Sequence, residues 1–216
     1  LAISIKDNKK EIVDQVKNES VRISFNNSNG WFIGSNEEIS LKEKIEKNGK
    51  PLKDWDVKIN RGILTGLNEA FIITTEKRSE ILNSCKTEEE KKRTEQIIKP
   101  ILRGRDISKY SYEWAGLWVI FINWHFPLHR NDSITGASLL AENEFKEHYS
   151  VVYSHLLHYQ DKLSARNKAE TGIRYEWYSM QRCANTYYEE FEKEKVVWGN
   201  ISYNSQFCFV KGGVFV

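Results

Sequence analysis

Apolar residues recur along the chain with two spacings, and each predicts its own kind of element. Val21-Arg22-Ile23-Ser24-Phe25 alternates with period two like a half-buried strand, and Ala70-Phe71-Ile72-Ile73-Thr74 is a β-branched and aromatic run of strand length. Leu117-Trp118-Val119-Ile120-Phe121-Ile122 is apolar throughout, the pattern of a strand covered on both faces, and is the expected central strand. Lys195-Val196-Val197-Trp198 opens a last strand region, and Gln206 to Val210 and Val214 to Val216 flank Gly212-Gly213 like the arms of a hairpin. Helical spacing places Val152, Leu156, Tyr159 and Leu163 on one face of a segment from about 144 to 166. Ser35-x-x-Glu38 and Thr87-x-x-Glu90 are capping boxes that open helices over 36–48 and 87–98. The acids of Glu88-Glu89-Glu90 followed by Lys91-Lys92-Arg93 suit the helix dipole, so that charge run reads as a solvated face. The sum is an α+β domain: a mixed or antiparallel sheet from the runs at 21–25, 70–74, 117–122 and 196–201, packed with helices. Residues 1–20 are expected to be a connector from a preceding catalytic domain, and 21–216 a single domain.

Between Val57 and Phe71 the pattern breaks into a loop rich in special residues. Lys58, Arg61, Gly62, Thr65, Gly66 and Asn68 stand between two apolar runs. Glycines let the backbone take positive φ or lie against another group without a Cβ in the way. Arg61 carries a planar donor fork suited to phosphate or guanine, and Asn68 suits an adenine edge or the cap of a turn. The plainer alternative is a hairpin whose glycines only solve a turn and whose Arg61 is solvated.

Arg61-Gly62-Ile63-x-Thr65-Gly66-x-Asn68-Glu69-Ala70-Phe71, then Ile98-Lys99-Pro100-x-Leu102-Arg103-Gly104-Arg105-Asp106-Ile107, resembles the TaqI-like C-terminal specificity domain. Looser features follow in the same order: Leu156-x6-Leu163-x2-Arg166, Trp177, and Phe191-x3-Lys195-Val196-Val197-Trp198. A proline expected near Cys183 is absent, which predicts a different loop there. The resemblance, from about Trp55 onward, implies the target-recognition domain of a type II restriction-modification enzyme whose methyltransferase, endonuclease and specificity parts share one polypeptide. It implies double-stranded DNA as partner, and S-adenosylmethionine and Mg2+ as cofactors of the parent enzyme alone. Arg61, Asn68, Arg103, Arg105 and Arg174 are then candidate base readers, with Thr65 beside them in the first motif. Lys58, Lys109, Arg166, Lys168 and Arg182 are candidate phosphate contacts. The structural alternative is that Arg103 and Arg105 pair with Asp106 and pin the turn at Gly104.

Composition narrows the classes. A net charge of +2 is no electrostatic argument for nucleic acid, so any DNA face depends on how charges segregate in space. Cys85, Cys183 and Cys208 form no Cys-x-x-Cys pair and are expected to be reduced thiols of a cytoplasmic protein, with no apolar run of membrane-spanning length. The start at Leu1 and the interrupted hairpin at the other end suggest a piece of a longer chain. Pro51, Pro100 and Pro127 are isolated, so no Asn-Pro-Pro-Tyr loop exists and the methyltransferase centre is not here. Two alternatives remain: a protein-interaction module built on Trp114, Trp124 and Trp177, and a metal-dependent nuclease built on Asp132 with Glu144-Phe145-Lys146. His155 and His158, one helical turn apart, lack an evident third metal ligand.

Overall fold

The computed structural model describes residues 34–183, 187–199 and 204–216. The expected connector at 1–20 and strand at 21–25 lie outside these residues, as do 184–186 after Cys183 and the end of the strand region expected to reach 201. Contacts divide the chain into one unit ending at Ile59 and another beginning at Asn60.

In the first unit, α1 spans Asn36–Asn48. The capping box predicted for it is present: Glu38 N–H donates to Ser35 Oγ at 3.3 Å, and Ser35 N–H donates to Glu38 Oε2 at 2.7 Å. A short 3-10 turn at Leu52–Asp54 follows.

The second unit is organised around the predicted central strand. β1 (Ile72–Thr74), β2 (Ile98–Pro100) and β5 (Leu117–Ile120) form an antiparallel sheet in the order β1-β5-β2, with Val119 and Ile120 fully buried. Phe121 and Ile122 continue as buried backbone, tied by Phe121 N–H to Ile97 O at 2.7 Å and Met180 N–H to Ile122 O at 3.1 Å. A one-turn helix α2 (Asn68–Phe71) precedes β1, so the strand expected from residue 70 starts two residues later. Its Ala70 and Phe71 are fully buried, and packing overrides their strand propensity. α3 (Thr75–Asn83) follows, capped by Thr74 Oγ1 accepting from Lys77 N–H at 3.3 Å, a cap without the acidic third position that announces one in sequence. α4 spans Glu88–Ile97, one residue inside the range that its capping box predicts at either end.

The helix expected over 144–166 is three: α5 (Leu139–His148), α6 (Ser150–Leu157) and α7 (Gln160–Ser164). The break at Tyr149 (φ −137°, ψ 47°) has a tertiary cause. Glu90 of α4 reaches the start of α6, where its Oε1 accepts from Ser150 Oγ at 2.9 Å and Val151 N–H at 3.2 Å. Burial pushes the Glu90 carboxyl up, but these bonds and the one from Lys86 N–H win and hold it below the usual glutamate value.

A satellite core of Leu102, Ile107, Val197, Cys208 and Val210 lies beneath two small ribbons. β3 (Ile107–Ser108) pairs with β4 (Ser111–Tyr112), and β6 (Lys195–Trp198) pairs with β7 (Phe207–Val210), both antiparallel. β7 therefore pairs with β6 and not with 214–216 as the glycine pair suggested. Gly212 lies so close to the Glu192 carbonyl that a Cβ has no room there, and beyond it the chain joins the main body. Leu102 N–H donates to Phe215 O at 2.8 Å, Phe215 N–H to Pro100 O at 2.9 Å, and Ile63 N–H to Val216 O at 2.7 Å.

Candidate nucleic-acid interface

The loop from Arg61 to Asn68 is fastened at several points. Leu64 and Arg182 exchange backbone hydrogen bonds of 3.3 and 2.9 Å, and Gln181 N–H donates to Thr65 O at 3.2 Å. Both glycines are close-approach positions. A Cβ on Gly62 would stand 2.7 Å from Val216 O, and one on Gly66 (φ 78°) would stand 2.8 Å from Gln181 Oε1 and 2.9 Å from Arg166 Cδ. Thr65 is buried, its hydroxyl donating to Asn68 Oδ1 at 2.6 Å and accepting from Leu67 N–H at 3.2 Å.

Arg166 locks this loop to the segment after α7. Its Nη1 donates to Thr65 O at 2.7 Å, its Nη2 to Trp177 O at 2.7 Å and Ser179 O at 2.8 Å, and its Nε to Leu163 O at 2.9 Å. Burial pulls the guanidinium below the ordinary arginine value. With four of its five N–H donors on backbone carbonyls, Arg166 is a brace. The role of phosphate contact expected for it gives way to this one, because a guanidinium enclosed by backbone has no donor fork to offer a ligand.

The remaining cations at this place face outward. Arg61 and Lys168 are exposed, and Arg182 and Arg174 share Glu170, at 3.5 and 3.1 Å from its Oε1. Arg174 also lies 5.8 Å over the ring of Trp124, which stacks on buried Tyr175 at 4.7 Å. Glu170 escaped the sequence reading although its i,i+4 spacing to Arg174 was a usable signal. Buried Glu176 escaped it too: it accepts from His125 N–H at 2.7 Å, Ser138 N–H at 2.9 Å and Ser179 Oγ at 3.3 Å, and Nδ1 of His125 stands 3.1 Å from its Oε1. No local spacing announces a group whose main partners, His125 and Ser138, come from two distant segments.

The second group of candidates sits on the satellite core. Arg103 holds Asp106 in a fork, Nη2 to Oδ1 at 2.7 Å and Nε to Oδ2 at 3.0 Å, with Arg103 N–H also on Oδ2 at 2.8 Å. That bonding keeps the Asp106 carboxyl below the usual aspartate value and raises the arginine. For Arg103 this is the arrangement of the structural alternative, pinning the turn at Gly104, while Arg105 and Lys109 are exposed. Residues 61–63 and 100–102 bond the same stretch, Phe215-Val216, so the two groups are linked through one piece of backbone. Lys58 belongs to the first unit and is exposed there.

The features behind the other two readings turn inward or apart. Trp124 Nε1 donates to Met180 O at 2.9 Å and Trp177 Nε1 to Glu142 Oε1 at 2.8 Å, both partly buried; only Trp114 of the three is exposed. Glu144 and Lys146 lie two residues apart on helix α5, where that spacing sends side chains to different sides, and Glu144 pairs with His148 at 3.2 Å. His155 contacts Ala70 O at 3.0 Å and His158 contacts Ser154 O at 2.7 Å. Among the described residues, no three His, Cys, Asp or Glu form a group that could hold a metal, and no helix is long and apolar enough to cross a membrane. A groove of about 550 Å3 between α4 and the α5–α6 corner is lined by Lys86, Glu90, Arg93, Lys146 and His148 among others, with none of the predicted site residues. No family model matches the chain, and no curated protein matches it.

Proposed function

We propose that this chain recognises a double-stranded DNA target on behalf of a restriction-modification enzyme, with methylation and cleavage carried out by other parts of the same polypeptide. The observation that carries the reading is the fastened loop. A reader must hold donors from distant segments rigidly on one rim, and Arg166 bonds a loop 101 residues away while Arg61, Lys168, Arg174 and Arg182 remain outside the bracing. Exposed guanidinium groups on such a frame can contact guanine edges or phosphates, and lysine suits phosphates. Arg105 and Lys109 extend the same chemistry onto the satellite core. S-adenosylmethionine and Mg2+ belong, in this reading, to the catalytic parts.

The test is equilibrium binding of the chain to duplex DNA over a series of salt concentrations. A recognition face gives affinity that falls steeply with salt, and Arg182→Ala flattens that slope by about one contact if it holds phosphate, or relaxes preference at one base pair by about 1–3 kcal/mol if it reads a base. Salt-independent binding, or none to any duplex in a site-selection experiment, overturns the reading.

A further inference from the structure

The β6–β7 ribbon buries one face and, among the described residues, leaves the other exposed. Val196 pairs with Phe209 and Trp198 with Phe207, so these four share a face, while Val197, Cys208 and Val210 fill the satellite core. On the outer face Phe209 is 58% exposed, Phe207 45% and Trp198 39%, and the Trp198 and Phe207 ring centres lie 5.8 Å apart. Beside the ribbon Tyr110, at φ 67°, donates its backbone N–H to Phe207 O at 2.8 Å. Its ring is 82% exposed, with Lys109 Nζ 5.3 Å from the centroid. Arg105 is exposed in the preceding turn, and the acid next to it, Asp106, is spent on Arg103. At the ribbon's other end Lys211 and Glu194 are both exposed, and near Tyr110 exposed Arg105 and Lys109 outnumber the exposed acid Glu113.

Rings beside cations favour one kind of occupant. Aliphatic side chains would serve a buried protein contact as well, yet three of the four outer positions are aromatic. Alternate residues on a strand are roughly 6.8 Å apart, the depth of two base-stacking layers at about 3.4 Å each. Aromatic rings at that step with Lys and Arg at their edge are the parts of a sequence-tolerant platform for unpaired bases. We propose that this face binds a single DNA strand, its bases stacking on Phe207, Phe209 and Trp198 and its phosphates meeting Lys109 and Arg105. The inference rests on the DNA reading above and adds to it a contact for unpaired DNA.

The test titrates the full chain with a fluorescent oligothymidylate and, separately, with duplex. The expected result is strand binding that weakens about tenfold in Phe209→Ser and equally in Phe209→Leu, since leucine keeps the apolar surface but cannot stack. In Lys109→Gln the salt slope for the strand falls by about one. Phe209 is exposed, so both variants should keep the wild-type melting temperature, and the lysine variant tests the same face without touching a ring. Absence of strand binding, full affinity in Phe209→Leu, or a concentration-dependent dimer that Phe209→Ser abolishes each overturns the proposal. A chain that binds duplex but no strand refutes only this inference, and one that binds strand but no duplex refutes only the recognition reading.

Discussion

The main core around β5 turns charged and polar groups inward as braces, whereas the satellite core beneath β6 and β7 turns apolar rings outward. In the first, Arg166, Glu176 and Glu90 each tie together segments far apart in sequence. In the second, the bonded charges are local: Arg103 with Asp106, three residues apart, and Lys195 Nζ with Phe191 O and Lys193 O, four and two residues away. A frame held by long-range polar bonds is rigid and intolerant of change, while a two-stranded ribbon over five buried residues leaves its outer side chains free to vary. Shape is therefore set in the first region, and the second adds exposed rings to the cations that the first carries on its surface.

That contrast predicts an order of mutational effects. Arg166→Ala should cost most, about 3 kcal/mol or more in urea unfolding, because Trp177 O and Ser179 O lose the guanidinium that bonds them in a partly enclosed site, while Thr65 O keeps Gln181 N–H and Leu163 O keeps a backbone N–H. A loss below about 1 kcal/mol would mean that water replaces the guanidinium and that the frame is not braced there. Gly66→Ala should cost roughly 1–3 kcal/mol, since it combines positive φ with a Cβ 2.9 Å from Arg166 Cδ. A melting temperature equal to wild type would show that Gln181 and Arg166 yield without penalty.

Arg103→Ala comes next, at about 1–2 kcal/mol at neutral pH, and carries a pH signature. Bonding to Arg103 holds the folded Asp106 carboxyl below its unfolded value of about 3.9. The stabilisation is thus fully present above that value and is lost as pH falls through the lower, folded one. In the variant the side-chain part of this loss is missing while the bond from the residue 103 N–H stays, so the difference between wild type and variant should shrink below about pH 4. A difference that stays constant down to acid would sink the assignment of the bond to the charged pair. Smallest of all, Arg182→Ala and Phe209→Ser should change stability by less than about 0.5 kcal/mol, since both side chains are exposed; a larger loss in either would erase the distinction between frame and rim.

Legibility in the sequence follows the same division. α1, α4 and β5 are readable because their signals are local: two capping boxes and one uninterrupted apolar run. The division of 144–166 into three helices was not, because Glu90 supplies the caps of α6 from 60 residues away. The pairing of β7 was misread for a related reason, since 214–216 leaves the ribbon for Pro100 and Ile63. Of the candidate site, the sequence marks the loop at 61–68 and the cations around it, but residue type could not separate Arg166 from Arg182. Both are arginines in polar surroundings, and only the position of four backbone carbonyls makes one a brace.

The four carbonyl bonds of Arg166 also bear, under the proposed DNA reading, on exchange of specificity. The side chains at 61, 168, 174 and 182 make none of those bonds, so a library randomised at these positions alters the chemistry of the rim while the loop beneath stays clamped. In a chain that recognises DNA as proposed, new target preferences would then arise by swapping a handful of outward residues, with no refolding to accommodate each one.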